Sequence, residues 1–349
     1  MHFLIFKLGG LGDLVLVTPA LRGLRKSLPQ ARISLVTGFS NRLVLDGCPY
    51  VDQILIVDDR RFFQGGTMDQ ARAALDLIRL AKAQKPDVVF VLHRDWRWNL
   101  IFRLSRTRNR LGFQRDLGGA FLTRAAVTSP EEHEINKYIK VFGLWPGFHP
   151  DGIRMELFPR SEDQAIVAGK IAPLTGRPVL ALAPGGAANI KESRTISRWP
   201  LELYRELVRR VLDETEFGVL LVGGPGDRDF TRPLVLNDRV LDLAGGLTPV
   251  QTYLALKECR LMITHDCGPM HIAAAAGLPV ISLFGPTDPR EKAPITNSRS
   301  VNIWKGPELG CSPCYHDGRF PDCAHQQCLT SIGVDEVMAR ATEIMDSDK

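Results

Sequence analysis

Apolar and polar positions follow two rhythms along this chain. Apolar runs of strand length recur at Phe3–Leu8, Arg32–Thr37, Gln53–Val57 and Asp87–Leu92. Between and after them, apolar residues return at helical spacing over Leu14–Leu28, Met68–Gln84, Trp96–Leu104 and Glu131–Leu144. Pro19 falls inside the first helical segment and predicts a kink or local break there. The second half repeats the plan, with strands over Pro178–Ala183, Val219–Val222, Arg260–Ile263 and Leu278–Pro286. Its helices are predicted over Leu201–Leu212, Val250–Lys257 and Asp335–Met345. Strands alternating with helices imply mostly parallel sheets covered on both faces. The Pro- and Gly-rich passage Pro146–Gly152 divides the two halves. The expected fold class is therefore α/β, with two doubly wound domains over residues 1–150 and 151–349. The last helix is free in this reading to pack back on the first domain.

Length and charge set the outer limits. A chain of 349 residues has room for two domains of ordinary size. A formal net charge of +5 is too weak to imply nucleic acid by itself. No apolar run reaches the ~20 residues of a membrane span. The start, Met1-His2-Phe3-Leu4-Ile5-Phe6-Lys7, has no basic region before its apolar run, so it does not read as a secretory signal. A cytoplasmic protein is expected. The seven cysteines are unevenly placed. Cys311, Cys314, Cys323 and Cys328 crowd one loop-rich segment as C-x2-C-x8-C-x4-C. That spacing admits a metal knuckle, but the last two intervals are not those of the usual zinc sites, and packed reduced thiols are the favoured reading.

The candidate chemistry gathers at strand ends. Gly9-Gly10-Leu11-Gly12-Asp13 follows the first strand, where open α/β sheets collect ligands. Its glycines match neither a dinucleotide fingerprint nor a P-loop. Asp13 reads as either a helix cap or a general base. Farther along, Asp266-Cys267-Gly268-Pro269-Met270-His271 joins a buried strand to an Ala-rich helix. Asp266 stands where an N-cap is expected, and Gly268 lets a ligand approach the backbone. The first turn of that helix is either an ordinary βαβ turn or a seat for a diphosphate. Between Arg94 and Arg124 lie eight arginines against two acids, with Arg60 and Arg61 in an earlier loop. Such forks suit phosphate and carboxylate groups, so the first domain faces either water or a polyanion. RNA is disfavoured, because no RNA-binding signature or aromatic interleaving accompanies them.

Taken together the motifs resemble glycosyltransferase family 9, the ADP-heptose:lipopolysaccharide heptosyltransferases. Lys7-Leu8-Gly9-Gly10-Leu11-Gly12-Asp13 with Thr18-Pro19-Ala20-Leu21 forms the first block. Pro184-Gly185-Gly186 leading to Arg198-Trp199-Pro200 forms the second. Asp266 to Ala275 followed by Phe284-Gly285-Pro286-Thr287-Asp288-Pro289 forms the third. The blocks span nearly the whole chain, and the cysteine segment also looks like one common in the family.

The resemblance implies a GT-B fold, two Rossmann-like domains facing across a cleft. The acceptor would sit on the amino-terminal side and an ADP-sugar donor on the carboxyl-terminal side. The implied donor is ADP-heptose, and the implied acceptor is an anionic lipid-linked saccharide of the lipopolysaccharide inner core. Peripheral inner-membrane contact through the basic face would follow, without nucleic acid. Transfer would invert the anomeric centre without a metal, with Asp13 as base. Donor contacts would come from Gly185, Gly186, Ser197, Arg198, Asp227, Asp266, Cys267, Gly268, Pro269, Met270 and His271. Acceptor contacts would come from Gly10, Gly12, Arg60, Arg61, Arg94, Arg97 and Arg115. Ser197 stands where many members carry a phosphate-binding lysine, which leaves Arg198, Lys191 or Arg194 to replace it.

Overall fold

The computed structural model describes residues 1–114, 116–186, 195–296, 299–315 and 320–346. The chain divides into two compact units, Met1–Met155 and Glu156–Lys349. Among the described residues each unit carries one six-stranded sheet in which every pairing is parallel.

The first sheet contains β1 (His2–Phe6), β2 (Arg32–Gly38), β3 (Gln53–Val57), β4 (Val88–Val91), β5 (Asn109–Phe113) and β6 (Arg124–Ala126). They lie in the order β3-β2-β1-β4-β5-β6. The central strands β1 and β4 are buried at every residue, as a sheet covered on both faces requires. The second sheet contains β7 (Val179–Ala183), β8 (Gly218–Leu221), β9 (Val240–Asp242), β10 (Leu261–His265), β11 (Val280–Phe284) and β12 (Val301–Trp304). Their order, β12-β11-β10-β7-β8-β9, is the same winding plan. In each sheet the winding reverses direction between two central strands, β1 and β4 or β7 and β10. Side chains just past the carboxyl ends of those strands converge at that switch point.

Most predicted elements form where the periodicity places them. The helix Trp96–Leu104 has the expected bounds, and Thr67–Gln84 begins one residue early. The helix Leu201–Glu214 buries Tyr204, Leu207, Val208, Val211 and Leu212, three or four residues apart, against the second sheet's core. Pro19 does mark a break. A short helix, Leu11–Leu16, ends at Val17, and a second, Thr18–Ser27, starts with Pro19 in its first turn, where a missing N–H costs nothing. Asp13 thus lies within the first turn of a helix, not in the glycine turn before it. The strands β5, β6, β9 and β12 are not legible in the apolar pattern, because they are short and carry Arg110, Arg124, Asp242 or Asn302. The helix Ser161–Ile171 buries only Val167 and so has no apolar stripe to read.

The carboxyl-terminal helix Val334–Asp346 packs on the helix Leu201–Glu214 and on β10 and β11, inside the second unit. Lys305 pairs with Glu336 of that helix at 3.0 Å. Among the described residues no helix is long and apolar enough to cross a membrane.

Candidate active site

In the first unit, parallel register brings two distant segments together. Phe6 lies opposite Val91, so Lys7 and Leu8 leave the sheet beside Leu92 and His93. The Leu8 amide donates to His93 Nε2 at 2.8 Å, which assigns the ring proton to Nδ1 in a neutral imidazole. Gly9 then adopts φ +104°, a conformation open to glycine but costly for other residues. The chain turns there into the helix Leu11–Leu16, where Asp13 occupies the first turn. Gly10 ends up beside the Asp13 carboxylate: a Cβ on it would lie 3.7 Å from Oδ2. Gly12 is buried in the same turn. Lys7 Nζ stands 3.2 Å from Asp13 Oδ2, with the Asp13 side chain 29 % exposed. Lys7 is buried, which follows from parallel register and not from any local pattern in the chain.

The arginines separate into groups. Arg94 follows β4 at the same switch point, pairs with the buried Glu134, and lays its guanidinium over the Phe113 ring at 4.9 Å. Arg97 is exposed and folds back on Asp95, the N-cap of its own helix. Arg61 pairs with Asp76 at 3.0 Å, and Arg60, in the same short helix Asp59–Phe63, is exposed. Arg110 and Arg124 instead satisfy backbone: Arg110 donates to Phe121 and Thr107 carbonyls, Arg124 to that of Leu144. Those two hold loops rather than an acceptor. Arg115 lies outside the described residues, as do Lys191 and Arg194.

In the second unit, Thr264 lies opposite Ala183, which sets His265–Gly268 beside Pro184–Gly186. Asp227 fastens this corner. Its Oδ1 accepts from the Gly186 amide and its Oδ2 from the Gly224 amide, each at 2.8 Å. Gly185 has to be glycine, since a Cβ there would come within 2.4 Å of Asp227. Arg198 donates to the Gly186 carbonyl at 2.9 Å and stacks on the Phe230 ring at 3.9 Å. Its neighbour Trp199 is buried in the core, with Nε1 donating to the Ile332 carbonyl at 3.0 Å. That anchor fixes where Arg198 begins. Ser197 is buried, and its hydroxyl has no hydrogen-bond partner among the described residues.

The helix Gly268–Ala275 is capped differently from expectation. Its N-cap is Cys267, whose side chain makes no cap hydrogen bond. Asp266 lies one residue too early; its Oδ2 accepts from the Thr287 hydroxyl at 2.8 Å, tying this turn to the loop after β11. The thiol of Cys267 cannot replace a carboxylate cap, and burial pushes its pKa up to about 12. The helix therefore keeps its amino-terminal partial charge, undiminished by an acidic cap. Pro269 contributes no N–H, Met270 is wholly buried, and His271 packs inside the helix at 3 % exposure. His265 was not singled out in the sequence. It is fully buried, bonds the Tyr204 hydroxyl through Nδ1 at 3.1 Å, and burial lowers its pKa to about 4. Its neutral Nε2 faces the Gly186 turn, 3.6 Å from where a Gly186 Cβ would stand.

All four clustered cysteines are free thiols: Cys311 exposed, Cys314 and Cys323 half-buried, Cys328 buried. The Cys314 amide donates to the Pro286 carbonyl at 3.0 Å, fastening that loop to the end of β11. Among the described residues no group of three or more His, Cys, Asp or Glu side chains is arranged to hold a metal ion.

Two parallel sheets of Rossmann winding, one ending in a carboxylate and the other in an open helix terminus, are the GT-B fold. The chain belongs to glycosyltransferase family 9 (heptosyltransferase), whose model matches residues 74–325. It is 22 % identical to lipopolysaccharide heptosyltransferase 2 of Escherichia coli (strain K12) over 377 residues, covering 99 % of each chain. The structure of E. coli ADP-heptose lps heptosyltransferase II aligns with TM-score 0.75 at 20 % identity, covering 100 % of this chain and 99 % of that one. A glycosyl transferase family 9 structure from Veillonella parvula DSM 2008 aligns with TM-score 0.78, also at 20 % identity, covering 99 % and 97 %.

Proposed function

We propose that the protein moves heptose from ADP-heptose to an inner-core sugar of lipopolysaccharide, with inversion, without a metal, and with Asp13 as general base. The observation that carries this reading is the partly exposed Asp13 carboxylate at the β1/β4 switch point. A carboxylate there can take the acceptor hydroxyl's proton as that oxygen attacks the anomeric carbon, given contact of roughly 2.6–3.2 Å in the reacting complex. The bond to the donor's diphosphate oxygen breaks in the same displacement, and ADP leaves with the electron pair.

The leaving diphosphate gains negative charge. The uncapped first turn of the helix Gly268–Ala275 meets that charge with backbone N–H groups and its dipole, and Arg198 adds a cation nearby. Asp227 would act by holding Gly186 and Gly224 in place, and Asp266 by holding the Thr287 loop. Arg94, seated by Glu134 and Phe113, is the arginine placed for an acceptor carboxylate or phosphate; Arg60, Arg61 and Arg97 add positive charge at an anionic, membrane-borne acceptor. This sets the whole reaction on the cytoplasmic face of the inner membrane.

The test is transfer from ADP-heptose to a truncated lipid acceptor in the presence of EDTA. Wild-type protein is expected to release ADP at full rate. Asp13→Asn is expected to lose at least ~10³-fold in rate while binding ADP within about twofold of wild type. Full transfer by Asp13→Asn would remove the base from this scheme. A rate that collapses in EDTA would restore a metal, and a preference for a different nucleotide sugar would change the donor.

A further inference from the structure

Lys7 is an unusual residue to find at the end of a central strand. It is 6 % exposed, and its ammonium reaches the Leu92 carbonyl at 3.3 Å. The same nitrogen lies 5.2 Å from the centre of the Tyr138 ring and 3.2 Å from Asp13 Oδ2. A buried ammonium is costly unless it is hydrogen-bonded and charge-paired, so this arrangement favours an ionised Asp13. Three elements therefore converge on one nitrogen: the end of β1 supplies it, the end of β4 bonds it, and the helix Glu134–Gly143 lays a ring beneath it.

Other charged and titratable groups at this corner have partners of their own. His93 is neutral and accepts from the Leu8 amide. Glu134 accepts from Lys137 at 3.3 Å and from Arg94. The Tyr138 phenol is held protonated, mainly by burial and further by the carboxylates of Asp13 and Glu134.

We propose that Lys7 is the positioning residue of the transfer reaction, holding Asp13 Oδ2 so that the carboxylate stays ionised and fixed in one orientation. This rests on the reading of Asp13 as general base. The cation lowers the carboxyl's affinity for a proton in the resting protein. It also spares the carboxylate the rotational search that an unheld side chain would make before each turnover. Lys7 touches neither sugar in this scheme and acts only through Asp13.

The experiment is the pH dependence of kcat/KM for wild type, Lys7→Met and Lys7→Gln, with ADP affinity measured on each. Rate falls on the acid side as the base takes a proton, so the acid limb reports Asp13. Either substitution is expected to move it upward by about one pH unit or more and to lower kcat roughly 10-fold to 100-fold, with ADP affinity unchanged. A purely structural role would lower stability without moving the limb. Should both variants fail to fold, Lys7→Arg, which keeps the cation, decides: its acid limb is expected to coincide with that of wild type, and a limb moved upward by about one pH unit despite the retained charge overturns the proposal. An unmoved limb with kcat within twofold of wild type overturns it as well. Asp13→Asn separates the two readings. If it is inert while the Lys7 variants keep the wild-type limb, the base stands and only the role of Lys7 falls. If Asp13→Asn transfers at full rate, both fall.

Discussion

At the scale of single residues, this protein buries polar groups in order to hold backbone. Asp227 binds two amides from different loops, Trp199 bonds a carbonyl ahead of the last helix, and His265 is held by Tyr204. His265 carries a measurable consequence. Burial lowers its pKa from 6.5 to about 4, so the folded protein resists a proton that the unfolded chain accepts. Stability present above pH 6.5 is therefore lost as pH falls toward 4, by up to ~3 kcal/mol. Urea unfolding across that interval should show wild type losing stability more steeply than His265→Gln. Equal slopes for the two proteins would mean that His265 is solvated after all. Nothing in the linear pattern marked this histidine. It follows the apolar run Leu261–Ile263 at the end of β10, and the Tyr204 hydroxyl, 61 positions away in sequence, gives it a partner.

At the scale of elements, the helix Gly268–Ala275 gives up stability for an open end. Asp266 was a reasonable cap from sequence, because an acidic residue just before a helix is the commonest signal of one. In the fold, Thr287 draws that carboxylate away, and the cap position falls to a buried thiol. Cys267→Ser would supply a hydroxyl able to bond the first turn. The expected result is a gain of about 1 kcal/mol in stability and weaker ADP binding, because the new cap competes with the ligand for the same N–H groups. Chemical denaturation and calorimetry read the two effects separately. Loss of stability in this variant would show that the thiol's packing outweighs the cap. The motif was legible as a unit; which of its two polar residues caps the helix was not, since that depends on a loop 21 residues later.

At the scale of the molecule, each unit has its own parallel sheet and its own apolar cluster. The last helix completes the second unit by packing on the helix Leu201–Glu214 and on β10 and β11. A fragment over residues 156–349 is therefore expected to unfold cooperatively on its own and to bind ADP, while catalysing no transfer. Thermal unfolding followed by circular dichroism, with and without ADP, checks this. A fragment that lacks a cooperative transition would place part of its core in the amino-terminal residues. The arginine-rich stretch from 94 to 124 teaches the same lesson about scale. Its composition reads as one basic surface, yet Arg110 and Arg124 satisfy loops, and Arg94 is ordered by a glutamate 40 positions away.

The sequence by itself determined the alternating αβ plan, the two-part division and the blocks around Asp13, Arg198 and Gly268, because apolar periodicity and turn residues are local properties. Only the tertiary structure decided the partners of those blocks. Parallel register set Lys7 beside Leu92 and Thr264 opposite Ala183, bringing together residues about 80 positions apart. Burial then selected, from many charged side chains, the few that must be paired. Neither register nor burial is a property of any short stretch of chain; both arise when strands distant in sequence close into one sheet.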